Sequence, residues 1–312
     1  MPAARRIGGS AVGASAMARL GQGDVADVAD EVREFVFTSR DLERVRVLIY
    51  ERAGIALNPH KQTMVYGRLA RRLRACGTAT FGAYLDRLEK NPTLPEWEAF
   101  INALTTNLTA FFRESHHFPV LRAHLLAKRL RRAAVIWCAA ASTGEEAYSI
   151  AITACEAFGT LAPPVRIIAS DIDTEVLAVG DQGVYAIERS AGMSTGLLRR
   201  YFLKGDGVNA GLIRVRPEVR SLIEFRHINL REDCPDVETD LHAIFCRNVL
   251  IYFDRGTQLA VLTRLAPLLG ADGLLFTGHS ESLAYATPLF RPLGNTVYTR
   301  GSPPTNPRAA DA

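Results

Sequence analysis

Residues 137–149 read Trp-Cys-Ala-Ala-Ala-Ser-Thr-Gly-Glu-Glu-Ala-Tyr-Ser. An apolar run gives way to tiny residues and then to two adjacent carboxylates. This order predicts a strand, a turn and the acidic first turn of a helix. Small residues at such a turn let backbone approach a ligand closely. Glu145 and Glu146 sit where bare N–H groups and the positive end of the helix dipole favour negative charge. Two carboxylates there repel a phosphate and hold a ligand carrying ammonium or hydroxyl groups. The chemistry favoured is that of a phosphate-free, amino-acid-bearing nucleoside such as S-adenosylmethionine. Gly144 is the only glycine of this turn. The G-x-G-x-x-G that brings backbone onto a dinucleotide pyrophosphate is absent, which argues against NAD.

Further candidates follow the other apolar runs. Asp171-Ile-Asp173 comes after Val165–Ser170. An acidic residue there accepts hydrogen bonds from both ribose hydroxyls, whereas Asp173 is better placed to cap the next helix. Asn229-Leu230 offers an edge for a base. Arg247-Asn248 follows Ile244-Phe245-Cys246, where a polar pair has no packing rationale. Upstream, Thr105–Arg113 is dense in donors and acceptors. Phe111 and Phe112 are expected in a core, but Asn107, Thr109 and Arg113, at i, i+2 and i+6, could face one ligand.

These residues need a frame. Short apolar runs alternate with helical segments after about residue 133: strands at Ala134–Cys138, Val165–Ser170, Ala243–Cys246 and Gly273–Thr277, and helices at Glu145–Phe158, Asp173–Gln182 and Leu259–Leu269. Such alternation predicts a doubly wound α/β fold with a largely parallel sheet, in which ligands bind at the carboxyl ends of strands. Gly211–Arg216 alternates with period two. With Glu224–His227 it predicts a small inserted antiparallel sheet, and Thr296–Thr299 an antiparallel closing strand. From about Phe37 to Leu104 the pattern is helical, with stripes Val65, Leu69, Leu73 and Phe81, Leu85, Leu88, punctuated by Pro92 and Pro95. Residues 1–28 and 301–312 read as flexible and disordered ends.

The chain has 312 residues, of which 48% are hydrophobic and 22% charged, enough for one large or two modest domains with a real core. A net charge of +4 is too mild to argue for nucleic acid. No apolar run approaches a membrane span, and the first twenty residues lack the continuous apolar stretch of a signal peptide. Cys76, Cys138, Cys155, Cys234 and Cys246 form no C-x-x-C, as expected for reduced thiols in the cytoplasm. His116, His117 and His124 lack metal-ligand spacing, so no metal is expected.

Five motifs, in order, resemble the CheR-type chemotaxis receptor methyltransferases: Asn107–Arg113, Ala139–Glu146, Ser170–Asp173, Phe245–Asp254 and Gly278-His-Ser-Glu281. The resemblance runs from about residue 28 to 300. It implies an all-α N-terminal domain at 29–92 that meets the receptor and a linker at 93–106. An S-adenosylmethionine-binding domain would follow at 107–300, with a β-subdomain at about 198–228. It also implies methyl transfer from S-adenosylmethionine to glutamate side chains on the cytoplasmic part of chemoreceptors, leaving S-adenosylhomocysteine. Carried over residue by residue, Asn107, Thr109, Arg113, Glu146, Asp171, Asn229, Leu230, Arg247 and Asn248 would hold the cofactor. Arg113 and Tyr252 would stand beside the reacting carboxylate. The β-subdomain, with its Lys204–Gly211 loop, would dock a peptide from the receptor C-terminus.

A sulfonium methyl is already activated and a glutamate is ionised at neutral pH, so the enzyme must chiefly align the reactants. Alignment contributes roughly 7–11 kcal/mol. An Arg113 fork and a Tyr252 hydroxyl suit that task, and Phe111, Phe112 and Tyr148 could exclude water. Between Arg52 and Asp86 there is no acidic residue, while Arg68, Arg71 and Arg72 lie opposite the apolar stripe. They are the expected contacts to an acidic receptor bundle. The protein is expected to act as a monomer, without nucleic acid or membrane insertion. The competing readings are a methyltransferase of small molecules or RNA, and a non-catalytic module that senses the cofactor.

Overall fold

The computed structural model describes residues 34–127, 132–233 and 237–301. The expectations for residues 1–28 and 302–312, and Cys234, lie outside them. Four helices come first: α1 (Ser39–Ala53), α2 (Gln62–Cys76), α3 (Phe81–Lys90) and α4 (Glu96–Leu104). Thr38 and Asp41 close a capping box at the start of α1, and Gly54, at φ 74°, ends it. Thr80 caps α3 by accepting from the Ala83 N–H. The predicted stripes Val65, Leu69, Leu73 and Phe81, Leu85, Leu88 are fully buried against Trp97, Phe100 and Leu104 of α4. Residues 96–104, expected as linker, are therefore a helix whose apolar face completes the helical core.

After α5 (His117–Ala127) the chain forms β1 (Ala134–Cys138), α6 (Glu145–Phe158), β2 (Val165–Asp171) and α7 (Thr174–Gln182). Next come β3 (Val184–Ala186), α8 (Thr195–Tyr201), β4 (Phe202–Lys204), β5 (Leu212–Val215), the turn-long α9 (Pro217–Arg220) and β6 (Ile223–His227). The chain continues through β7 (Leu241–Phe245), α10 (Arg255–Leu265), β8 (Leu269–Phe276), β9 (Phe290–Gly294) and β10 (Val297–Arg300).

The main sheet has seven strands in the order β6-β2-β1-β7-β8-β10-β9. The first five run parallel, and β10 is antiparallel to β8 and β9, as expected of a closing strand. Two buried clusters lie on its opposite faces: one holds α5, α6 and the small sheet, the other α10. The fold is thus doubly wound α/β. Chain order runs outward from β1 through β2 to β6, then returns to β7 on the other side. The switch point lies between β1 and β7, where such sheets open a ligand crevice.

The inserted antiparallel sheet differs from expectation in its strands. It is built from β3, β5 and β4, in that order. Residues 223–227 instead extend the main sheet, pairing parallel with β2, His227 opposite Asp171. An edge strand has one free side, so its partly exposed residues produce the alternation that sequence reading assigns to an antiparallel patch. Among the described residues no helix is long and apolar enough to cross a membrane.

Candidate active site

A cleft of about 410 Å³ opens at the switch point. All the cofactor and catalytic candidates line it: Asn107, Thr109 and Arg113 from the segment before α5, Glu146 from the first turn of α6, Asp171 from the end of β2. Asn229 and Leu230 enter after β6, Arg247 and Asn248 after β7, and Tyr252 from the turn beyond. The helical domain supplies a wall that the sequence did not reveal, including Ile55, Leu57, Asn58 and Lys61. It is fastened by the Ala56 N–H to the Tyr252 carbonyl (2.8 Å).

At the strand-to-helix turn the two carboxylates part company. Glu145 is fully buried, pairs with Arg189 and accepts from Thr143 Oγ1 (2.6 Å); it does not line the cleft. Arg189 carried no signal in the sequence. Glu146 does face the cleft, but Arg247 meets it there. Burial pushes the Glu146 carboxyl above its ordinary value despite the guanidinium. Gly144 serves packing: at φ 94°, an added Cβ would come within 2.9 Å of Gly180 Cα. Ala139, Ala140 and Ser142 are the small residues that line the cleft.

Asp171 accepts from the backbone N–H of Ser142 (2.8 Å) and of Asp173 (3.0 Å). Burial raises its pKa, against those two bonds. Among the described residues no cationic side chain pairs with it, so its remaining lone pairs suit neutral donors such as hydroxyls. Asp173 caps α7 by accepting from the N–H of Glu175 and Val176. Its other oxygen accepts from Thr105 Oγ1 (2.6 Å) and Asn107 Nδ2 (2.7 Å). The Asn107 amide nitrogen is therefore spent on holding its own segment. Asn229 is similarly committed, to the Arg52 carbonyl (2.9 Å), Glu232 (3.0 Å) and the Arg231 N–H (3.1 Å). The apolar wall of that end comes from Leu230, Ile172 and Ile228.

Arg113 and Tyr252 are both half-buried and line the cleft. Burial raises the Tyr252 pKa while Arg113 pulls it down; the balance is upward, so the hydroxyl keeps its proton. Arg113 is flanked by Phe112 and Glu114, both in the left-handed region (φ 55° and 52°). Each costs roughly 1–2 kcal/mol and persists only where surroundings enforce it. Tyr148, by contrast, donates to the Gly180 carbonyl (2.7 Å) within the core. Phe111 packs edge-on to Tyr185 and Phe202, and Phe112 to Phe118. These three aromatics are core residues and do not line the cleft.

Glu114 and Glu281 were not among the site candidates. Glu281 accepts from the N–H of Gly278 (2.6 Å), Asn248 (2.8 Å) and Ile251 (3.3 Å), fixing the turn that carries Tyr252. Its presence in the Gly278–Glu281 motif was the available signal. The basic residues of α2 lie elsewhere. Arg72 forks onto Glu96 (2.9 and 2.7 Å), and Arg68 donates to the Thr105 carbonyl (2.5 Å). Arg71 is exposed. Two of the three expected receptor contacts thus tie α2 to α4 and the following segment.

The cleft fits the expected cofactor. Glu146 is the carboxylate that lines the cleft beside Arg247 and offers acceptors to an ammonium, whereas Glu114, which does not line the cleft, pairs with the same guanidinium and with His279. Arg247 also keeps a buried Nε without a partner. Asp171 offers acceptors for ribose, and Leu230 with Ile172 a face for a base.

A doubly wound fold with a ligand cleft at its switch point suits an S-adenosylmethionine-dependent methyltransferase, and the known relatives put the chain in that class. Residues 107–299 match the family described as CheR methyltransferase, SAM binding domain, and residues 40–105 match CheR methyltransferase, all-alpha domain. The chain is similar to a chemotaxis protein methyltransferase of Salmonella typhimurium, 49% identical over 89% of this chain and 96% of that one. Chemotaxis protein methyltransferase 2 of Pseudomonas aeruginosa is 51% identical over 86% and 95%. The Escherichia coli chemotaxis protein methyltransferase is 51% identical over 82% and 88%. The chain belongs to the CheR methyltransferase family. Neither a small-molecule or RNA methyltransferase nor a non-catalytic module is favoured by these relatives.

Proposed function

We propose that the protein transfers the methyl group of S-adenosylmethionine to glutamate side chains on the cytoplasmic part of chemoreceptors, forming methyl esters, and that it does so in the cytoplasm as a monomer. What supports the reading is the meeting, in one cleft, of an acceptor with no cationic partner among the described residues (Asp171), a carboxylate beside a buried guanidinium (Glu146, Arg247) and a polar pair (Arg113, Tyr252).

When bound, the donor supplies a methyl group already activated on a sulfonium. The chain's own residues do the rest. Asp171 would accept from the ribose hydroxyls, and the Glu146 carboxylate beside Arg247 would take the ammonium. Leu230, Ile172 and Ile228 would lie against the base. At the mouth, the Arg113 fork and the Tyr252 hydroxyl hold the incoming carboxylate. That carboxylate is ionised at neutral pH, so no general base is required. Tyr252 positions it without neutralising it, which preserves the nucleophilicity that a second cation would suppress.

Arg71 and the small sheet are the proposed receptor contacts. The sheet's outer strands β3 and β4 leave edges to which an extended receptor C-terminal peptide can add. A receptor lacking its last residues that is methylated as well as the intact one would contradict peptide docking. For the activity itself, the protein is incubated with labelled S-adenosylmethionine and receptor-containing membranes. Base-labile label on the receptor is expected, as a carboxyl ester gives. Base-stable label, or none, would overturn the reading.

A further inference from the structure

Glu114 follows Arg113 and points away from it, into the ends of two distant strands. Its carboxylate accepts from Arg247 Nη2 (3.1 Å), Asn248 Nδ2 (3.2 Å), the His279 N–H (3.1 Å) and His279 Nδ1 (3.0 Å). Arg247 Nη2 also donates to the Arg113 carbonyl (2.6 Å). One guanidinium nitrogen thus holds both the backbone of Arg113 and the side chain of the next residue. The left-handed backbone on each side of Arg113 is also held by the Phe112 N–H to Ser149 Oγ (2.9 Å) and by two long main-chain bonds, the Arg113 N–H to the Ala110 carbonyl and the His117 N–H to the Glu114 carbonyl (3.3 Å each). Those main-chain bonds are local to the turn; the Glu114 carboxylate is what ties its far side to other elements.

We propose that Glu114 is a positioning residue: by clamping the left-handed turn onto Arg247, Asn248 and His279, it aims the Arg113 guanidinium at the mouth of the cleft. The inference rests on the proposed methyl transfer for its kinetic readout. Without the clamp, Arg113 is free to leave the strained turn, and its head, which donates to the Leu108 carbonyl (2.7 Å), loses a fixed origin. The carboxylate is suited to a permanent role. Burial pushes its pKa up, but the bonds from His279, Asn248 and Arg247 outweigh this and bring it down to about 2. It stays charged throughout the neutral range.

The test compares wild type, Glu114→Gln, Arg113→Ala and the double variant. The expected result for Glu114→Gln is a turnover at least tenfold lower, with the affinity for S-adenosylhomocysteine, measured by calorimetry, changed less than threefold. The double variant is expected to match Arg113→Ala within about twofold, because residues that act as a unit are not additive. Losses that multiply, or a cofactor affinity that falls tenfold or more, would overturn the inference by giving Glu114 a role of its own. Glu114→Asp keeps the charge and is expected to restore part of the turnover. Arginine side-chain NMR supplies a readout independent of methyl transfer. The Arg113 signal, identified by its loss in Arg113→Ala, is expected to be distinct in wild type and averaged toward free arginine in Glu114→Gln. An unchanged signal would overturn the inference even if the wild type methylated no receptor, an outcome that would refute the function alone.

Discussion

Arg247 reaches Glu146 across the ends of two neighbouring parallel strands, though the two residues are 101 apart in the chain. The pair spans the switch point of the sheet. Arg247 also holds Glu114 and the Arg113 carbonyl, so one buried guanidinium links Glu146 to the segment that carries Arg113. Packed at the junction of both, it makes the cleft's geometry a property of the sheet rather than of a loop.

On the proposed function, Arg113 acts on the incoming carboxylate more than on the cofactor. Arg113→Ala is expected to lower turnover by a larger factor than it lowers cofactor affinity. Arg113→Lys should recover little, because a point charge cannot make the two-pronged contact. Steady-state kinetics beside calorimetry with S-adenosylhomocysteine check this; equal losses in both would reduce Arg113 to a binding residue.

Asp171 has the opposite profile. On the proposed function the lone pairs that Ser142 and Asp173 leave open accept from the ribose hydroxyls, and each bond to a charged acceptor contributes roughly 1.5–3 kcal/mol. Asp171→Asn should weaken S-adenosylhomocysteine binding roughly ten- to a hundredfold, by that same magnitude. Calorimetric titration of the variant reads it directly, and an unchanged dissociation constant would remove Asp171 from the ribose.

The arginines of α2 should separate into two behaviours. Arg72→Ala leaves Glu96, whose side chain is 11% exposed, without its cation. A loss of about 1–3 kcal/mol in urea unfolding is expected. Arg71→Ala should leave stability unchanged and raise the KM for receptor at low salt, with the difference fading as salt screens it. A KM insensitive to both substitution and salt would place the receptor on another face.

His117 makes stability depend on pH. Burial, helped by the nearby Arg247, lowers its pKa to about 4. The unfolded chain, near 6.5, binds the proton more readily, so stability is complete above pH 6.5 and falls as pH drops toward 4. The loss amounts to up to about 3 kcal/mol over that window. Its Nε2 bonds the Asn295 carbonyl (3.0 Å), which an amide can replace. His117→Gln should flatten the slope of unfolding free energy between pH 6.5 and 4. A slope identical to wild type would assign the acid sensitivity to other groups.

Much of the site was legible because strand ends announce themselves. Apolar runs stopping at Cys138, Ser170 and Cys246 located the rim, and the turn after the first of them supplies Glu146 to the cleft. The helical stripe of α2 was equally plain, since Val65, Leu69 and Leu73 repeat at the helical period. Three-residue strands such as β3 and β4 are too short to show any period, so of the small sheet only β5 was read, and residues 224–227 were wrongly joined to it. Pro92 and Pro95 read as the end of a helix, and Pro95 also opens the next one, α4, inside the linker that the resemblance implied. Glu114 was hidden for another reason: its partners Asn248 and His279 lie 134 and 165 residues away. No local pattern encodes such a meeting, which only the strand order brings about. Arg72 looked free because Glu96 is 24 residues away, on another helix.

The central claim is that this cleft delivers a methyl group to a carboxylate oxygen. The most direct measurement is mass spectrometry of a receptor cytoplasmic fragment after incubation with the protein and S-adenosylmethionine, with each modified residue located by fragmentation. The account predicts added methyl groups on glutamate side chains, absent with Arg113→Ala. Methyl groups on nitrogen or sulfur, or an unmodified receptor in the presence of a protein that binds the donor, would contradict it.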